Sequence, residues 1–319
     1  MKYSKLYGDY LRTERGYKKD LRPLLTPRSY HIAHGRVCCS ASEVRLAPWG
    51  HVMLKRLLKP PLSAGLIDID APETSILRRR IVREKGFLNR LYLEWYRLLI
   101  GSLPAGEGKV IEIGSGGGFL SDLLPDVVTS DVLEISGVNL TMDAHRLPVV
   151  DGALRGILMC NVLHHLENPE LFLREAARAV RPGGIVAMIE PWNTTWSRRV
   201  YRRLHHEAFE SAATTWAVAQ GGPLSGANGA LPWILFARDK DEFERRVPEW
   251  RIETVAPLMP IAYLLSGGVS LRALSPGWLY VACRSCERGL ARLGIDFSLC
   301  SRTSFSGGRP MFPSRCRGL

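Results

Sequence analysis

Between Glu112 and Gly118 the chain reads E-I-G-S-G-G-G, with glycines at 114, 116 and 118 directly after the apolar residues Val110, Ile111 and Ile113. Glycines in that setting let the backbone turn sharply and let a ligand approach bare main chain. A turn of this kind at the carboxyl end of a strand is where an open α/β sheet holds its ligand. Asp131 follows 17 residues after Gly114, near the roughly 20 expected for a carboxylate that accepts hydrogen bonds from both hydroxyls of a ribose. A loop aspartate in a turn is the plain alternative. The dinucleotide fingerprint G-x-G-x-x-G fails, because Phe119 stands where its last glycine belongs. Groups able to take a proton stand just past two apolar runs: His165 after the fourth, where it either removes a proton from a substrate or packs and bonds its own loop, and Glu190 after the fifth. His205 and His206 are further candidates. Cys283 and Cys286 have zinc-ligand spacing but no second such pair, so no metal site is predicted.

The elements that must carry these residues follow from hydrophobic pattern. Residues 76–100 place Leu77, Ile81, Leu88, Leu91, Trp95 and Leu99 on one helical face, with Gly86 as a break. The arginines crowded there, Arg78, Arg79, Arg80, Arg83 and Arg90, read as the solvated side of a helical cap rather than an anion site. The first strand ends at the glycine turn, and Phe119, Leu120, Leu123 and Leu124 open a helical pattern. Short strands are predicted at 127–131, 138–142, 157–160 and 185–189, with an amphipathic helix over 170–180 stopped by Arg181-Pro182-Gly183-Gly184. Only residues 132–137 separate the second and third strands, too few for a parallel crossover helix.

The succession strand, glycine loop, D-A-x-x-L-P at 143–148, strand with N-V-L-H-H-L at 161–166, helix, R-P-G-G and strand resembles the class I S-adenosylmethionine-dependent methyltransferases over about Lys109 to Trp192. Within that family it is similar to the small-molecule branch that includes quinone C-methylases. The resemblance implies a doubly wound, mostly parallel seven-stranded α/β sheet (Rossmann-like), with an N-terminal helical cap and an insertion after the fifth strand. It implies that Glu112, Gly114, Gly116 and Gly118 surround the methionine end of S-adenosyl-L-methionine and that Asp131 holds the ribose. Asp143, with backbone from Ala144, would contact the adenine amino group, and Asn161 would face the methyl-donor pocket. His165 matches a histidine common in such segments. Leu154-Arg155 departs from the family, where an acid usually stands.

Apolar content of 46% and charged content of 23% are ordinary for a globular chain of 319 residues. The formal charge of +12 is concentrated at the ends, +9 over 1–66 and +5 over 284–319, leaving −2 between them. A nucleic-acid footprint would instead stripe the folded domain, so a small-molecule or lipid-like acceptor is expected and nucleic acid is not. Pro257, Pro260, Gly267 and Gly268 break the longest uncharged span, 254–271, so no membrane helix is expected. No apolar signal core stands near the start, and seven cysteines suit a reducing compartment, so a cytoplasmic protein is expected. The organisation read from these patterns is a basic extension (1–66), a methyltransferase domain (67–283, core 105–192, lid or insertion about 193–247) and a basic, disordered tail (284–319). Trp192, Trp196, Trp216 and Trp233 either floor an apolar acceptor pocket or pack the core. The competing functions are a non-catalytic adenosylmethionine-binding protein, a dinucleotide-dependent oxidoreductase and an RNA methyltransferase.

Overall fold

Pro72 in the first turn, Glu73 beside it and Arg83 in the last turn suit the ends of helix α1 (Pro72–Glu84). The chain then extends at Lys85 and restarts as α2 (Gly86–Gly101), so the break falls where Gly86 marks it. Phe87, Leu88, Leu91, Trp95, Tyr96 and Leu99 form the buried stripe of α2. The computed structural model describes residues 68–204, 207–218, 221–258, 261–292 and 302–308, all within one unit, Ala47–Leu319. The extension expected over 1–66, the pair His205 and His206, and the side chain of Trp196 lie outside the described residues.

The sheet is built from β1 (Lys109–Ile113), β2 (Val128–Asp131), β3 (Leu140–Thr141), β4 (Leu154–Cys160), β5 (Val180–Pro191), β6 (Arg251–Leu258) and β7 (Arg302–Gly308). Its order is β3-β2-β1-β4-β5-β7-β6. The first five strands run parallel, and β7 is antiparallel to both β5 and β6. The order reverses beside β1, which opens a crevice at the carboxyl ends of the parallel strands. Alternate side chains feed two cores. Ile111, Ile157, Met159 and Val186 pack with helix α3 (Pro169–Ala179) and Leu231, Ile234 and Phe236 of the insertion. Val110, Leu158, Ile185 and Ala187 pack on the other face against α1 and α2. A parallel sheet covered on both faces requires this.

Several elements differ from the sequence expectation. No α-helix follows the glycine turn; Leu120–Asp122 forms one 3-10 turn, because six residues between Gly118 and Pro125 are too few to nucleate a helix. β3 shrinks from the expected five residues to Leu140–Thr141 at the sheet edge. As expected, no helix joins β2 to β3. β5 begins earlier than expected, because 181–184 loop out between the pairs Leu154–Val180 and Gly156–Ile185. The tail from 284 is not disordered throughout: a further helix, Tyr280–Arg292, and strand β7 fold from it. β7 lies between two strands and so bonds along both backbone edges, which overrides the weak strand propensity of R-T-S-F-S-G-G. Among the described residues no helix is long and apolar enough to cross a membrane.

Candidate active site

The carboxyl ends of β1, β2 and β4 open into a cavity of about 390 Å³. Of the residues singled out from sequence, Glu112, Gly114, Gly118, Asp131, Asp143, Ala144, Asn161 and His165 line it. Gly114 has φ 73, and a Cβ there would come within 2.4 Å of Val162. Gly116 lies just behind the wall; a Cβ there would meet Ile135 at 2.6 Å and Asp131 Oδ2 at 2.8 Å. The glycines are thus required by the protein's own packing as well as by any ligand.

Asp131 does not point into solvent. Its Oδ2 accepts from Gly116 N–H at 2.9 Å and its Oδ1 from Leu133 N–H at 3.0 Å. Burial raises its pKa against those donors. Arg79, one of the arginines read as solvated, donates to the carbonyl of Gly116 at 3.1 Å and to that of Ser136 at 3.0 Å, so it braces the turn. Glu112 is buried, and burial pushes its pKa up to about 7. Asp143 is half exposed; burial raises its pKa, but the N–H and ring of His145, both on Oδ1, outweigh this and hold it low. Asn161 sits at φ 60, and its buried Oδ1 has no hydrogen-bond partner within the protein. An unsatisfied acceptor in a cavity wall is costly unless a ligand supplies the donor.

Glu190 is not brought to the cavity. It is fully buried, one oxygen accepting from Val162 and Leu163 N–H at 2.8 Å and the other paired with His164 Nδ1 at 2.6 Å. Burial alone would raise its pKa, yet His164 and the N–H groups hold it low. The expectation of Glu190 as a catalytic base is therefore corrected: it organises the loop after β4. His164 is the residue it holds, and His164 in turn faces Glu207. His165 does reach the cavity, and burial together with His164 pushes its pKa down to about 4, leaving the ring neutral at physiological pH. Trp192, Trp216 and Trp233 pack in the core rather than lining the cavity. Arg155 lies near the opposite end of β4, donating to the carbonyl of Pro104 at 3.0 Å, so it leaves the cavity untouched.

One wall comes from the insertion. Gly221, Gly222, Pro223, Leu224 and Gly226 line the cavity, and Asp70 fastens them. Its Oδ1 accepts from Leu224 N–H at 2.6 Å and Ser225 N–H at 2.9 Å, while Oδ2 accepts from Ser225 Oγ at 2.6 Å. Neither Asp70 nor Glu207 carries a local motif. The run G-G-P-L-S-G at 221–226 was the available signal that something closes there.

Residues 111–188 match a family described as a methyltransferase domain. A comparison with curated protein sequences finds no match. Among solved structures, one titled a possible histamine N-methyltransferase from Thermotoga maritima is 16% identical, covering 74% of this chain and 94% of its own, with a TM-score of 0.43. The geranyl diphosphate C-methyltransferase from Streptomyces coelicolor is 14% identical over 83% of this chain and 100% of its own, with a TM-score of 0.40. The [4+2]-cyclase SpnF is 13% identical over 70% and 82%, with a TM-score of 0.41. These three likenesses are too distant to say anything of activity. The matched span, by contrast, contains the glycine turn, Asp131, Asp143, Asn161 and His165.

Proposed function

We propose that this chain transfers a methyl group from S-adenosyl-L-methionine to a small apolar or lipid-like acceptor. The observation that carries the reading is the meeting, in one cavity, of Glu112, Asp131, Asp143 and Asn161 from the ends of separate strands within the methyltransferase-domain span. The donors and acceptors fit the group: buried carboxylates for an ammonium and a ribose, an exposed one for an adenine amine, and an unsatisfied amide oxygen beyond Glu112 at the end of β4. When bound, adenosylmethionine supplies a methyl on a positively charged sulfonium, a leaving group that needs no activation. The protein's share is then alignment and exclusion of water.

Glu112 would face the ammonium, Asp131 the ribose hydroxyls, and Asp143 with Ala144 the adenine. Asn161, fixed by its strained backbone, would receive a donor at the reacting end. Leu88, Tyr92, Leu224, Tyr263 and Val269 give the rest of the cavity an apolar wall, which favours an apolar acceptor over a polyanion. His165, neutral and held at Nδ1 by the carbonyl of Gly226 at 2.9 Å, keeps the lone pair of Nε2 available at the cavity wall.

Calorimetric titration with adenosylmethionine and adenosylhomocysteine tests this. Micromolar binding is expected, weakened by at least ~1 kcal/mol in Asp143→Ala, the scale of a lost hydrogen bond to a charged group. Asp131→Ala should cost more, since it also releases Gly116 and Leu133. Failure of the native protein to bind either compound refutes the reading. Binding without turnover on a broad panel of labelled acceptors would favour the non-catalytic alternative, and transfer to RNA alone would refute the acceptor class.

A further inference from the structure

The two adjacent histidines of the N-V-L-H-H-L run, His164 and His165, meet the distant Glu207 at the cavity wall. One ligand-capable atom from each lies within 4.8 Å of the other two. His164 Nε2 is 3.5 Å from Glu207 Oε2, and His165 Nε2 is 3.8 Å from Glu207 Oε1. Ligand atoms around a tetrahedral ion with bonds of about 2.0–2.1 Å stand roughly 3.4 Å apart, so each imidazole stands close to ligand spacing from the carboxylate, the two rings meeting different oxygens of it.

The surroundings of the two rings point the same way. His165 Nδ1 meets the carbonyl of Gly226, which can only accept, so that nitrogen carries the proton and Nε2 keeps its lone pair. His164 Nδ1 meets Glu190 Oε2, and Glu190 is itself fixed by the N–H groups of Val162 and Leu163. A buried carboxylate or carbonyl on the far nitrogen of each imidazole is the arrangement that orients histidine ligands and raises their basicity. All three side chains line the cavity, so an ion held by them would keep coordination positions facing it.

We propose that His164 Nε2, His165 Nε2 and the carboxylate of Glu207 bind one divalent transition-metal ion in the cavity wall. Two imidazoles and one carboxylate suit zinc, iron, cobalt or manganese and not magnesium or calcium, which prefer all-oxygen sites. The ion's use, as distinct from its binding, rests on the methyltransferase reading: the open positions would hold an acceptor through its oxygen.

The test uses the full chain, stripped with a chelator and dialysed, then titrated with Zn²⁺, Co²⁺ and Mg²⁺. One equivalent of Zn²⁺ or Co²⁺ is expected, with visible ligand-field absorption for cobalt and no competition from equimolar Mg²⁺. His165→Ala and Glu207→Gln should each weaken Co²⁺ binding at least ~100-fold while keeping the native far-ultraviolet spectrum, and Glu190→Gln should weaken it ~10–100-fold through His164. The double variant Cys283→Ser/Cys286→Ser should bind as the native chain does. If a variant misfolds, the metal's effect on the His164 and His165 ring resonances of the native protein decides. Absence of Co²⁺ binding, full affinity in His165→Ala, or loss confined to the cysteine variant overturns the proposal. Adenosylhomocysteine binding by the stripped protein is measured in parallel, so failure of the metal site and failure of the methyltransferase reading are told apart.

Discussion

Replacing Asp70 by alanine should free one wall of the cavity without touching the residues assigned to the cofactor. Its carboxylate receives three hydrogen bonds from two adjacent residues, Leu224 N–H, Ser225 N–H and Ser225 Oγ, across 154 or 155 positions of sequence. Hydrogen bonds to a charged acceptor are worth about 1.5–3 kcal/mol when buried, but two of these three are exposed, so each is discounted and about 2 kcal/mol is left for the group. At 1.36 kcal/mol per tenfold, opening of this segment becomes about thirtyfold easier. Hydrogen exchange reads this directly. The amides of Leu224 and Ser225 should lose about thirtyfold protection in Asp70→Ala, while that of Ile157 in the central strand stays unchanged. Adenosylhomocysteine should dissociate faster from the variant by a similar factor. Unchanged exchange at Leu224 and Ser225 would refute the clasp, and equal loss at Ile157 would show a global fault instead.

Three further perturbations follow from the site. Glu112, whose pKa burial raises to about 7, must release a proton to face an ammonium. Affinity for adenosylmethionine should therefore rise about tenfold per pH unit below 7 and level off above it, whereas Glu112→Gln should bind with no such slope in pH-dependent calorimetry. Glu190→Gln takes from buried His164 the nearer of its two anionic partners, leaving the longer contact to Glu207, and should cost up to about 3–5 kcal/mol in urea unfolding. In the metal-free native protein burial opposes the charge on His164 but Glu190 prevails, lifting its pKa to about 9. The pair's stabilisation is then complete below about pH 6.5 and lost as pH rises through 9, and the variant should show a weaker dependence, because Glu207 still faces the ring. Gly118→Ala would set a Cβ 2.1 Å from the Tyr96 hydroxyl and should destabilise by about 1–3 kcal/mol. Adding Tyr96→Phe should recover part of this, although Phe119 N–H then loses its acceptor; additive losses would refute the clash.

The parallel half of the fold was legible because its strands are short apolar runs, most of them closed by a polar residue that reaches the cavity. Asp131, Asp143 and Asn161 stand directly after such runs and reach the cavity. What could not be read was whatever depends on distant segments meeting. Glu190 stands at the end of β5 as Asp131 stands at the end of β2, yet the neighbouring strand's loop turns its N–H groups and His164 onto it, and that decides its role. Glu207 and Asp70 sit in stretches with no period, so only folding brings them to the cavity. Phe119 to Leu124 carried a helical pattern, but a pattern fixes which face is buried, and chain length decides whether a helix fits.

The seventh strand is last in sequence but penultimate in the sheet. Until residues 302–308 arrive, β5 and β6 each present an unmatched row of amides and carbonyls that another copy of the chain can template upon. Completion of this half of the sheet is thus a late, long-range event of the kind that folds slowly. Cleavage anywhere between 293 and 301 would leave the cofactor-side strands intact, turn β5 from an interior strand into a sticky border and leave β6 with no strand to pair with.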